Sequence, residues 1–180
     1  MVGKTHIVGG LALVSLSSLI LVKTDFIDEE RLILQQATLL TSAGLGALLP
    51  DIDMKGSSIS RKNPIISFFA RIFLTHRGFT HSPFSLLIFS VLIYWLTKIL
   101  NLGIDSWIGA GLIIGYASHI LLDSFNPKGV PLFYPYKKKF SFGKIVTGTW
   151  GETLIIITCS IITTISEGIL LGLLKLTLFH

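Results

Sequence analysis

An all-α integral membrane bundle is the fold class this sequence predicts, and three observations predict it. Hydrophobic residues make up 51% of the 180 and charged residues only 14%, with a mean hydropathy of +0.73. Soluble domains carry roughly a quarter charged residues. The apolar residues are gathered into five runs, roughly 6–22, 33–49, 83–100, 106–123 and 152–176, each near the ~20 residues a spanning helix needs. Small residues recur inside them, among them Gly9, Gly10, Gly44, Gly46, Gly109, Gly111 and Gly115. Helices in lipid need such residues to pack closely, because apolar area alone drives no association there. No internal repeat or low-complexity tract divides the chain, so residues 1–180 are expected to form a single membrane-embedded domain.

Taken in order, the first run, Ile7 to Val22, follows Lys4 as a signal peptide would. No small-residue cleavage site precedes Lys23 and Asp25, and the run is expected to stay as a helix. Lys23 to Leu32, with Asp25, Asp28, Glu29 and Glu30, is a solvated turn. The second run ends at Leu48-Leu49-Pro50-Asp51-Ile52-Asp53 and opens a long connector that reaches Ser82. Within that connector Pro64 to Leu74 is apolar but broken by Arg71, too short to span and suited to lying in the interface. The third run has Ser82 as N-cap and Pro83 at the first helical position. Asn101 to Asp105 is a short turn, and Asn126-Pro127 stops the fourth run. Pro127 to Trp150 is a second long loop with Lys137, Lys138, Lys139 and several aromatics. The last run starts at Trp150-Gly151-Glu152 and contains the lone Cys159, which excludes an intrachain disulfide and is suited to packing.

If the five runs alternate in direction, one membrane face receives His6, Asp51, Asp53, His76, His81, His119, Asp123 and Glu152. Four of the five His in the chain fall there, and His180 at the C-terminus is the exception. Lys4, Lys55, Arg61, Lys62, Arg71, Arg77, Lys128, Lys137, Lys138, Lys139 and Lys144, eleven of the fifteen Lys and Arg, share that face. The positive-inside rule then makes it cytoplasmic, with the N-terminus on the same side. Trp95 and Trp107 suit the far interface, while Trp150, Tyr134 and Tyr136 suit the near one.

His119 and Asp123 lie four apart on one helix face, so imidazole and carboxylate can grip one divalent cation. The plain alternative is an Asp holding a buried His in one tautomer. Asp51 and Asp53 sit on an irregular segment where both could face one centre, or one could orient the other ligands; solvated carboxylates at a membrane boundary are the alternative. Thr75-His76-Arg77-Gly78-Phe79-Thr80-His81-Ser82 places two His in a Gly-containing loop beside a helix start, a pattern with few structural uses. Arg77 could hold a phosphate oxygen or merely add to the cytoplasmic positive charge. Glu152 is either a ligand or a first-turn acid favoured by the helix dipole. The candidate metal ligands are therefore His6, Asp51, Asp53, His76, His81, His119, Asp123 and Glu152, and the candidate catalytic residues are Arg77, Asp53 and Glu152. Imidazole and carboxylate without thiolate suit Zn, Mn or Fe. Eight donors exceed the needs of one ion, which favours two or three ions sharing carboxylates, an arrangement that activates water against a phosphoester. Glu167, some 22 Å along its helix from Glu152, is expected near the far interface in a packing or snorkelling role.

His6, Leu-Pro-Asp-Ile-Asp at 49–53, His-Arg-Gly-Phe-Thr-His-Ser at 76–82, and Gly-Tyr-Ala-Ser-His-Ile-Leu-Leu-Asp-Ser at 115–124 with Pro127 and Gly129 together carry a family likeness over nearly the whole chain. They resemble the YdjM-like family of bacterial inner-membrane metal-dependent hydrolases. That family is in turn distantly similar to zinc-dependent phospholipase C and P1-type nucleases, helical enzymes with a three-zinc site. The resemblance implies a hydrolase in a bacterial or archaeal inner membrane, with zinc as cofactor and membrane lipids as partners. An interfacial metal site rimmed by Lys and Arg suits an anionic phospholipid or lipid-phosphate substrate. Nucleic acid is disfavoured, because membrane topology already accounts for the basic residues. A metal or ion transporter would need polar groups along a path through the bilayer, whereas the ligands gather at one end. A metal-stabilised, non-enzymatic scaffold is the third reading, distinguished by whether a coordination position stays open.

Overall fold

The computed structural model describes residues 1–23, 32–54, 57–65, 67–68, 78–100, 105–136 and 138–172. Among these residues it is all-helical, without strands. The α-helices are α1 (Gly3–Lys23), α2 (Leu32–Gly46), α3 (Ser58–Lys62), α4 (Pro83–Leu100), α5 (Asp105–Ser124) and α6 (Trp150–Leu170), with 3-10 turns at Leu49–Asp53 and Phe79–His81. Each of the five apolar runs thus contains a helix. By length and composition two stretches, Gly3–Leu21 and Trp150–Leu170, can cross a membrane, and Pro83–Ile99 is a shorter apolar helix. α2 ends at Gly46, earlier than its apolar run, because Pro50 lies in the 3-10 turn that follows. The expected interfacial segment 64–74 falls mostly outside the described residues; positions 64, 65, 67 and 68 are helical.

Helices α1, α2 and α5 pack against one another, with α6 laid on α1 and α4 on α5. Glycines allow this closeness. A Cβ at Gly115 would overlap the Ala43 carbonyl, one at Gly111 the Leu39 carbonyl and Ser42 side chain, and one at Gly46 the Leu112 backbone. The interior is correspondingly small-grained: Ala12, Val14, Leu39, Ala43 and Ala47 are buried together with Ser15, Ser18, Gln36 and Ser42. Large apolar side chains point outward instead, Leu87, Val91, Leu92, Trp95 and Ile99 on α4 and Leu154, Ile157, Ile161 and Ile165 on α6. Contiguous apolar surface of that kind marks a membrane or partner contact.

Glu167 has the packing role its depth suggests. It accepts hydrogen bonds from Ser15 Oγ at 2.5 Å and from Gln36 Nε2 at 2.6 Å, so one carboxylate ties α6 to α1 and α2. The start of α4 is as expected, with Ser82 Oγ accepting the Ser85 N–H at 3.1 Å and Pro83 as first helical residue. After α5, Asn126 organises the long loop. Its Nδ2 donates to the Ile145 carbonyl and Thr147 Oγ1, and its Oδ1 accepts from Lys128 N. Val130 and Phe140 pair as an isolated antiparallel bridge, with Gly129 at φ 62° making room against the Phe140 backbone. The loop thereby returns the chain to Gly148 and Glu152 beside the first turn of α1.

Candidate metal centre

Five side chains from four elements converge at one end of the bundle: His6 from α1, Asp51 and His81 from the two 3-10 turns, and His119 and Asp123 from α5. All are buried, the three imidazoles completely and both carboxylates at 5% exposure or less. One oxygen of Asp51 and one of Asp123 lie near the Nε2 atoms of both His81 and His119. From His81 Nε2 the distances are 3.6 Å to Asp51 Oδ1 and 3.6 Å to Asp123 Oδ2. From His119 Nε2 they are 3.8 and 3.9 Å, and the two Nε2 atoms are 3.2 Å apart. Ligands about 2.0–2.1 Å from a tetrahedral ion stand about 3.3 Å from one another. These five distances, 3.2 to 3.9 Å, are close to that spacing.

The two imidazoles are also fixed in the tautomers a metal needs. His119 Nδ1 faces the Ala47 carbonyl at 2.7 Å, a group that only accepts, so this nitrogen carries the proton. Thr80 Oγ1 donates to Asp53 Oδ2 at 2.7 Å and is left to accept from His81 Nδ1 at 3.0 Å. Each ring therefore turns a lone pair on Nε2 toward the other. At 3.2 Å such a pair needs a cation between them, whether a metal ion or a shared proton. Charge points the same way. Asp51, Asp53, Asp123 and Glu152 are all buried, and among the described residues no Lys or Arg side chain is. The buried N-terminal amine, 2.7 Å from Asp123 Oδ1, offsets one charge, and the remainder is costly without further positive charge.

A second position adjoins the first. His6 stacks on His119 with ring centroids 3.6 Å apart and brings Nε2 to 3.5 Å from Asp123 Oδ1, the oxygen not shared with His81 and His119. His6, Asp51 and His119 also offer ligand atoms within 4.8 Å of one another, as His81, His119 and Asp123 do. Asp123 thus faces two cation positions, one through each oxygen, and at Oδ1 the N-terminal amine stands in that place.

The family described as YdjM inner membrane protein matches residues 1–179. The chain belongs to this family. It is similar to YvsG, an uncharacterized protein of Bacillus subtilis, at 32% identity over 87% of the chain and 88% of that protein. It is similar to the inner membrane protein YdjM of Escherichia coli and of Shigella flexneri at 41% identity, over 57% of the chain and 52% of each of those proteins. No solved structure matches it.

In this YdjM-family chain two of the other expected ligands, Asp53 and Glu152, are hydrogen-bonded beside the centre. Asp53 acts on His81 through Thr80. Glu152 accepts from Val2 N at 2.6 Å, Thr5 Oγ1 at 2.8 Å and Gly148 N at 2.7 Å, fastening α1 and the long loop to α6 beside the centre. His76 and Arg77 lie outside the described residues. Three contributors escaped the sequence reading: the Ala47 carbonyl, Thr80, and Tyr116, whose hydroxyl donates to the Thr80 carbonyl at 2.7 Å and pairs with Ser85 Oγ at 3.1 Å. Thr80 and Tyr116 carried a faint signal, each lying within three residues of a candidate His.

Proposed function

We propose that this chain is a multi-pass inner-membrane hydrolase that cleaves a phosphoester, a phospholipid or lipid phosphate, at a centre of two or three divalent ions on the cytoplasmic face. The observation that carries the reading is the quartet of His81, His119, Asp51 and Asp123 at ligand spacing, with His6 beside the second oxygen of Asp123. Zinc fits the donor set, and Mn or Fe fit it too. Bound there, such ions would activate a water and neutralise the charge of the phosphoester under displacement.

The residues of the chain divide the remaining work. Asp51, His81, His119 and Asp123 hold the first position, and His6 with Asp123 Oδ1 the second. Thr80, with Asp53 behind it, keeps His81 turned inward, and the Ala47 carbonyl does the same for His119. Glu152 fixes the first turn of α1 and so the place of His6. Arg77 and the cytoplasmic lysines would steady the anionic substrate. The proposed topology has five spans with the N-terminus and both long loops inside; the basic-residue distribution supports that orientation, and the outward apolar faces of α4 and α6 suit lipid.

The test is a turnover screen of detergent-purified protein with Zn, Mn or Fe restored, offered phospholipids, isoprenoid phosphates and nucleic acid. Metal-dependent release from a lipid phosphoester, lost in Asp123→Asn, is the expected result. A fully metal-loaded protein that hydrolyses none of them would overturn the proposal and leave a metal-stabilised scaffold.

A further inference from the structure

A cavity of about 220 Å³ adjoins the centre, lined by Leu48, Asp51, Met54, Ile59, Arg61 and Thr147 among others. Asp51, a member of the candidate ligand quartet, forms part of its wall, so the cavity abuts the centre on the Asp51 side. Arg61 on α3 is exposed, and among the described residues its guanidinium has no hydrogen-bond or ion-pair partner. The short helix that carries it is tied to the Asp51 segment. Ser57 Oγ donates to the Asp51 carbonyl at 2.7 Å and accepts from Ser60 N, while Ser67 Oγ donates to the Ile52 carbonyl at 2.6 Å and meets Ser60 Oγ at 2.6 Å. An unpaired Arg on an anchored short helix, a carboxylate of the candidate quartet and apolar walls make an unusual combination for a structural void. A guanidinium is well matched to phosphoryl oxygens. Drug-sized ligands occupy pockets of roughly 300 Å³ and more, so this one has room for a head group whose remainder lies outside.

We propose that this cavity is the phosphoryl-group subsite, that Arg61 is its anion-binding side chain, and that the ligand is a phosphate monoester flanked by apolar chain, as at the head of a lipid phosphate. The proposal rests on the hydrolase reading for the reaction that follows binding, but binding is measured apart from it. The probe is maleimide labelling of Met54→Cys in a Cys159→Ser background, in nanodiscs of neutral phosphatidylcholine, with dioleoyl phosphatidic acid or inorganic phosphate added. Phosphatidic acid should slow labelling at least about fivefold, and Arg61→Gln should raise the half-protecting concentration roughly tenfold, the loss of one charge-assisted hydrogen bond, with Arg61→Lys in between. Ile59→Cys repeats the measurement from a second wall and guards against a local effect of the first thiol. Equal protection by inorganic phosphate supports the subsite and assigns it to free phosphate. Protection without any hydrolysis supports the subsite and removes the reaction. No protection by either ligand, or protection unchanged in Arg61→Gln, overturns the proposal.

Discussion

Thr80 shows how the centre is tuned one side chain away from any ligand. Its hydroxyl has a single proton, which goes to Asp53, and so it can only accept from His81 Nδ1. Replacing it by Val should keep the volume, free the ring to flip, and lower metal affinity roughly 10–100-fold, the usual cost of losing such a partner. Competition with a chelator of known strength measures this; unchanged affinity would mean that His81 is oriented by other contacts. His81→Ala and His119→Ala should each insert in the membrane and hold less metal. At this scale the donors were legible in the sequence, because His and Asp at helix ends in an apolar chain have few other uses. Their orienting partners were not. A backbone carbonyl such as that of Ala47 has no residue-type signature, and on the irregular 49–53 segment no periodicity says whether Asp51 or Asp53 turns inward.

At the scale of elements, α5 carries a single stripe with two jobs. Gly111, Gly115, His119 and Asp123 recur every fourth residue and so share one face. The glycines let α2 approach until backbones touch, and two turns later the same face presents the ligands to the end of α2. Gly115→Ala should therefore force the helices apart, at a cost of about 1–3 kcal/mol, and should lower metal content although Gly115 touches no ligand. Thermal melting and metal analysis on one preparation check both effects; an intact centre in a destabilised protein would disconnect them. Glu167 supplies the contrast. Glu167→Ala strands Ser15 and Gln36 and should cost about 1–2 kcal/mol, with metal stoichiometry unchanged because the clamp lies toward the other end of α1. The i, i+4 pair and the glycines were each visible in the sequence. Their joint effect depends on which helix packs against α5, and sequence spacing does not state that.

At the scale of the molecule, small and polar groups face inward among the described residues while many large apolar side chains face outward, the reverse of a soluble bundle. The candidate ligands gather at one end of the helices, as the reading of the apolar runs expects. On the orientation proposed from the basic residues, cysteines introduced at positions 28 and 139 should be labelled from opposite sides of the membrane, the second from the cytoplasm. Labelling from the same side would break the five-span topology.

The central claim, that the buried pole is a polynuclear metal centre, is met most directly by metal analysis. Metal-to-protein ratio should be determined on detergent-purified chain beside Asp123→Asn, which keeps the side-chain volume but removes the charge facing both positions. The wild-type chain should carry more than one equivalent of a divalent transition metal, and the variant should lose most of it. A ratio at or below one in the wild type, or an undiminished ratio in the variant, would contradict the account.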